Sequence, residues 1–268
     1  MAAQYENPSE YIAHHLTFLS KPVGEGGFWT LNMDTIAVSF VLGVVGLAFF
    51  RWAALRMTLG VPGKTQAFIE WVFDFVTGQV RGIYHGDPHK FVAQLAFTVL
   101  LWVILLNAMD LLPADLVTWA LDHAGFHHGF RVVPTADVNT TFALALTVWV
   151  LMIGIGFRTK GFRGFFHDFF KAPFGAHPVL WPVNGLFNTI EYISKPLSHS
   201  LRLFGNMYAG EIIFLLLWML ATAAVGWAVG AVVLAWIWAM FHILIILLQA
   251  YIFMMLTIVY LQMGQEGH

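Results

Sequence analysis

Apolar residues along this chain are gathered into blocks far longer than the elements of a soluble core. From Thr35 to Phe50 there are 16 residues without a charge, and the run extends back through Asp34 towards Leu31. That predicts a first membrane-spanning helix over 31–52. Phe91 to Met109 gives 19 uncharged residues and Val138 to Phe157 gives 20, so a second and a third span fall within 91–157. From Ile212 to Gln265, 54 residues carry only His242 and two tyrosines as ionisable groups. A single helix of that length would measure about 81 Å against a hydrocarbon core of about 30 Å, so the stretch has to fold back. Ala221 to Gly230 (ATAAVGWAVG) is the place, because small residues and two glycines permit a tight turn. The arms of the resulting hairpin, within 179–268, remain long for upright crossings, and strong tilt is expected. Between the first two spans, 65–84 puts apolar residues at helical spacing with Glu70, Asp74 and Arg81 on the remainder. This is the pattern of an amphipathic helix lying on the cytoplasmic surface. The expected fold is an all-α integral membrane protein with a single membrane domain. It comprises an extracytoplasmic N-terminal segment 1–30, about five crossing helices, the interfacial helix, and a last pair of long, tilted helices.

Composition agrees with lipid as the solvent. Of 268 residues 59% are apolar and only 10% charged, against about 45–50% and about 25% in soluble domains. The net charge of −2 leaves no electrostatic footprint for nucleic acid. The absence of cysteine excludes disulfides, thiolate nucleophiles and Cys-based metal sites. Lys and Arg are distributed by loop: Lys21 alone before the first span, then five between Arg51 and Lys90, then Arg131 alone, then five between Arg158 and Lys195. The alternation fits the positive-inside rule with the N-terminus outside and the C-terminus inside after five crossings. The first 30 residues, with Glu6, Pro8, Glu10 and Glu25 and no apolar core, do not read as a signal peptide.

The few ionisable groups inside the last apolar segments need a reason to be there. Arg202 lies in SHSLRLFGNMYAGEIIFLLL, and a guanidinium in a spanning helix costs roughly 2.5–3.5 kcal/mol on insertion scales. Snorkelling from the cytoplasmic end would be the ordinary explanation. However, Asn206, Ser198, Lys195 and Glu191 all fall within about 40° of Arg202 on a continuous helix, forming a polar stripe with Glu191 about 16 Å below the arginine. Pro196 could kink that line. Glu211 is about 180° away and serves another face. On the last helix His242 and Gln249 share a face about 10 Å apart; each alone would suit an interhelical hydrogen bond. Together, Arg202, Asn206, Glu211, His242 and Gln249 are hard to explain as structure. Carboxylate and imidazole at membrane depth are elements of a proton relay. Arginine does not release its proton, and it suits a fixed charge that receives a mobile carboxylate, with a partner protein the stronger source of that carboxylate.

SKPLSHSLRLFGNMYAGE from Ser194 to Glu211 and FHILIILLQAYIFMMLTIVYL from Phe241 to Leu261 resemble subunit a of bacterial F-type ATP synthases. Further similar segments are YIAHHL from Tyr11, GVPGK from Gly60, MDLLP from Met109 and RVVPTADVN from Arg131. The resemblance implies a non-catalytic stator subunit in the bacterial inner membrane, with a periplasmic N-terminus and a cytoplasmic C-terminus. Its implied partners are the ring of c-subunits, subunit b of the peripheral stalk and membrane lipid; no cofactor and no metal are implied. It further implies two offset half-channels separated by Arg202, which faces the ring carboxylates, with Gln249 as the partner of that arginine. Asp110, Asn206, Glu211 and His242, joined by Asn107, correspond to the outer half-channel, and Ser198 to the inner one. The enteric-type pattern has its exit carboxylate where this chain has Asn188. Here the carboxylate is Glu191, three residues on, and the exit role is assigned to Glu191 by position. A proton-coupled secondary transporter of an anionic solute is the alternative, although no internal repeat of the kind transporters show is visible. His123, His127 and His128 could form a metal-binding loop, but clustered loop histidines are more often solvated.

Overall fold

The computed structural model describes residues 20–22, 30–86, 91–112, 123, 131–175, 177–223 and 225–265. A short antiparallel ribbon pairs β1 (Ser20–Pro22) with β2 (Thr30–Asn32). The rest is helical: α1 (Met33–Leu55), α2 (Lys64–Ile83), α3 (Val92–Ala108), α4 (Val138–Lys171), α5 (Trp181–Ala223) and α6 (Val225–Gln265). Among the described residues five helices, all of these but α2, are long and apolar enough to cross a membrane. Their surfaces are apolar too: Phe40, Leu47 and Trp236 are about 70% exposed, at 71%, 74% and 68%. A water-soluble fold would not tolerate that much contiguous apolar surface, whereas hydrocarbon accepts it. α5 ends at Ala223 and α6 begins at Val225, within the stretch 221–230 where a fold-back is expected. At 43 and 41 residues, α5 and α6 would be about 65 Å and 62 Å long if straight, twice the hydrocarbon thickness.

The chain forms two compact units, each described by itself. The first takes Met1–Ala54, Trp102–Thr140 and Phe204–Gln249; the second takes Leu55–Leu101, Thr141–Leu203 and Ala250–His268. In the second unit α2 buries Val76, Thr77 and Val80. Phe73 packs edge-on against Phe97, and Gln79 accepts a hydrogen bond from Tyr251 at 3.3 Å. Phe68 and Trp71 of the same helix are exposed. The turn before it is held by Gln66, whose side-chain amide bonds both the N–H and the carbonyl of Thr58 at 3.1 and 3.0 Å and reaches Glu70 at 2.7 Å.

The third span differs from expectation beyond its apolar part. Helical structure continues from Val138 to Lys171, broken only at Gly161, whose φ of 68° is left-handed. A residue with a Cβ resists that conformation. The short helical arm 162–171 that follows is fastened by the start of α5. Asn184 Nδ2 donates to the carbonyls of Phe170 and Gly175 at 3.0 and 3.1 Å, and Asn188 Nδ2 to those of Phe169 and Ala172 at 2.7 and 2.9 Å. The two asparagines satisfy carbonyls that a helix end otherwise leaves bare. Pro196 sits inside α5 without ending it.

Gly161→Ala should lower the stability of the purified chain by about 1–2 kcal/mol through its left-handed backbone. Gly78→Ala, in the α2 interior with nothing near the added Cβ, should be neutral or stabilise by up to about 1 kcal/mol. Thermal unfolding in detergent checks both, and equal midpoints for the two variants would contradict this reading of the Gly161 break.

Candidate functional site

In the first unit the turn that ends α3 meets α5 and α6 in a buried polar cluster. Asp110 is in the 3-10 turn Met109–Leu111. Its Oδ2 lies 2.5 Å from His242 Nε2 on α6, with the two side chains 7% and 0% exposed. A carboxylate and an imidazole so withdrawn from water hold each other: Nε2–H donates and the carboxylate accepts. The imidazole is seated directly on Gly210 of α5, where any Cβ would overlap the ring. Phe214 stands edge-on to it at 5.6 Å and Trp238 lies beside it at 6.1 Å. Glycine at 210 is thus what lets the two helices approach closely enough to clasp the histidine.

Other polar atoms of this unit are buried without a protein partner. Among the described residues they include Glu211 Oε2, Asn107 Nδ2 and Oδ1, His242 Nδ1 and Gln249 Nε2, besides Ser39 Oγ, Thr135 Oγ1 and Trp238 Nε1. Asp110 and Arg131 lie within Coulombic reach of Glu211. Asn206 donates through Nδ2 to Gln249 Oε1 at 2.6 Å. All six sequence-predicted residues of this part (Asn107, Asp110, Asn206, Glu211, His242 and Gln249) are in the one unit. The structure pairs Asp110 with His242 and Asn206 with Gln249.

Two carboxylates were not anticipated as site material. Asp34 is 3% exposed and accepts from the backbone N–H groups of Arg131 at 3.0 Å and Thr35 at 2.8 Å. Asp137 accepts from Asn32 at 2.8 Å and from the N–H of Asn139 at 3.0 Å, which makes it the N-cap of α4. An Asp directly before an apolar run is a helix-start signal, so Asp137 could have been found. Nothing local marks Asp34, whose partner is 97 residues away.

In the second unit Arg202 is exposed on α5. Among the described residues of its unit it has no ion-pair partner. Its flank carries Ser198, also exposed, and the bare apolar side chains of Leu197 and Leu201. His199 and Tyr260 lie within Coulombic reach of the guanidinium. His199 is buried, stacked on Phe253 with centroids 3.7 Å apart, and was not singled out from sequence because a lone histidine in SHS carries no spacing signal. Further down α5, Glu191 pairs with Lys195 at 2.8 Å in an i, i+4 salt bridge, and Lys195 lies over the Tyr192 ring. These residues line a cavity of about 30 Å³ together with Asn188 and a second pair, Lys160 and Asp168, 3.4 Å apart. Lys160 directly precedes the Gly161 break and was counted only among the basic loop residues; Asp168, on the arm that follows, was not singled out from sequence. Asn188 and Glu191 differ in duty: Asn188 is 7% exposed and committed to two backbone carbonyls, whereas Glu191 keeps 44% of its side chain in the open.

His127 and His128 lie outside the described residues, as does YIAHHL, and among the described residues no group of three metal-ligating side chains is found.

The sequence profile of the ATP synthase A chain family matches residues 36–262. The chain belongs to that family. ATP synthase subunit a of Chromobacterium violaceum is 45% identical over 98% of this chain and 99% of its own length. ATP synthase subunit a of Shewanella loihica is 47% identical over the whole of both chains. ATP synthase subunit a 2 of Photobacterium profundum is 47% identical over 97% of each. Membership makes the chain a multi-pass, non-catalytic subunit of the membrane sector of an ATP synthase, in keeping with its five apolar helices.

The seating of His242 gives a direct test. In protein labelled with 15N-histidine, the Asp110-bonded Nε2–H should give a strongly downfield proton resonance, assigned by its loss in His242→Gln. Gly210→Ala removes no polar group but should abolish that resonance, as Asp110→Asn should shift it upfield; an unchanged resonance in Gly210→Ala would contradict the seating.

Proposed function

We propose that this chain is the stator of a rotary proton channel, with Arg202 as the fixed charge that a ring of partner carboxylates must pass. The observation that carries the reading is the exposed guanidinium on α5, unpaired in its unit and bordered by Leu197 and Leu201. Facing lipid it would cost several kcal/mol. Facing a carboxylate on a neighbouring protein it is compensated, and Arg202 cannot discharge itself by losing a proton.

The cycle follows from the two clusters. On the outer side a proton is taken up through Asp110, His242 and Glu211, with Asn107 and Asn206 supplying further hydrogen-bonding groups. The orphaned atoms of Glu211, Asn107, His242 and Gln249 support a hydrated path, because buried polar atoms without protein partners are satisfied by water. The proton neutralises a ring carboxylate that has left Arg202, and the neutral acid can then travel through lipid. After nearly a full turn it reaches the inner path near Ser198 and Glu191, releases the proton and is attracted to Arg202. Gln249, held by Asn206, acts as the partner of Arg202 in that exchange. Each charge crossing the potential supplies about 2.3 kcal/mol per 100 mV, so several are needed for one ATP. Glu191 rather than Asn188 is the exit group, because the Asn188 amide is occupied by the end of α4. In this reading the N-terminus is periplasmic, α2 lies on the cytoplasmic face of the inner membrane, and subunit b of the peripheral stalk holds the chain against rotation.

The chain has no cysteine, so single introduced thiols report cleanly. Ser198→Cys, exposed and about 40° from Arg202 on the helix, should form a disulfide with a cysteine placed beside the ring carboxylate. Phe40→Cys, exposed on α1, should not. Glu191→Cys should react at least about tenfold faster with a membrane-impermeant thiol reagent added on the cytoplasmic side than on the periplasmic side. Cross-linking from Phe40→Cys alone, or protection of Glu191→Cys, would overturn the placement.

A further inference from the structure

The helical arm after Gly161 carries a second feature that proton transfer does not use. Along it Phe162, Phe166 and Phe170 recur every four residues, and Arg163, His167 and Lys171 recur beside them in the same register. The two rows, with Trp181 at the start of α5, line a groove of about 340 Å³, the size of a small-molecule site. Its aromatic side chains are open to the surroundings: Phe162 is 70% exposed, and Phe166, Phe170 and Trp181 about 40%. Arg163 and Lys171 have no acidic partner among the described residues. His167 stands 3.7 Å from Asp168, whose other oxygen is engaged by Lys160.

We propose that this groove binds one anionic phospholipid, its phosphate held by Arg163 and Lys171 at the rim and its first acyl methylenes laid against Phe162, Phe166, Phe170 and Trp181. Charge decides for this occupant. The groove follows directly on a membrane span, at the end where basic residues collect, and that end belongs to the leaflet with the negative surface potential. A row of cations beside a row of aromatic rings matches a molecule that is anionic at one end and apolar along the rest. A zwitterionic lipid would meet the same rings with no net charge for Arg163 and Lys171 to neutralise. The site is independent of how Arg202 works.

The test uses the full-length chain in nanodiscs of phosphatidylcholine containing a phosphatidylglycerol with a photoreactive diazirine on its acyl chain. Labelling is mapped by mass spectrometry. Adducts should concentrate on the peptides containing residues 162–171 and Trp181, and unlabelled phosphatidylglycerol should displace them at least about tenfold better than phosphatidylcholine. Arg163→Gln with Lys171→Gln should reduce the phosphatidylglycerol adduct by a similar factor and leave labelling elsewhere on the chain unchanged. Arg158→Gln, a basic residue outside the groove, should have no effect. Should the double variant fail to fold, the lipid competition on the unaltered chain decides alone. Adducts indifferent to headgroup charge would overturn the proposal. So would cross-linking of these residues to a protein subunit instead of lipid in the assembled complex.

Discussion

A permanent positive charge on a lipid-spanning helix, with nothing in its own unit to neutralise it, is the constraint on which this chain turns. Most other charges have an evident reason for their place. Asp110 has His242, Glu191 has Lys195, Asp168 has Lys160, and Asp34 and Asp137 are spent on backbone N–H groups. Arg202 has apolar neighbours on its exposed flank, no ion-pair partner among the described residues of its unit, and His199 and Tyr260 within Coulombic reach. Neither is an anion at neutral pH in the ordinary course. A group that expensive to leave uncompensated implies a partner, and its exposure says the partner is another molecule.

In the function proposed above, the rest of the chain serves to supply water and protons to the carboxylate that passes this charge. Close approach at Gly210 buries His242 against α5 so that it can hold Asp110. The Asn206–Gln249 bond spends the Gln249 amide oxygen and leaves its NH2 group without a protein partner among the described residues. On the other side, the asparagine clasp between α5 and the end of α4 fixes the arm bearing Asp168 beside the cavity that Glu191 lines. Each device is a hydrogen bond or a close approach between helices, which is how polar groups are held where lipid offers no partners.

Much of this is legible in the sequence because lipid enforces simple patterns. Charge-free runs mark the spans, the small residues of 221–230 mark the turn, and Arg202 stands out because so little around it is polar. Gln249 and Asn206 are visible individually, but their pairing is not, since they are 43 residues apart. The same distance problem hides Asp34, which looks like an ordinary acidic residue before a span, and His199, which reads as one more polar letter in SHS. Gly161 is one glycine among 24, and only its left-handed backbone separates it from the others. Asn188 shows the limit most clearly. Nothing in its sequence context foretells that its amide ties down two backbone carbonyls of the preceding arm.

The central claim is that Arg202 is the charge that couples ring movement to proton transfer. Its most direct test is ATP-driven proton pumping by inverted membrane vesicles whose assembled synthase carries Arg202→Ala. With the complex shown to be intact, the account predicts that pumping falls to the background of vesicles without the subunit. Pumping at the unaltered rate in that intact complex would contradict it.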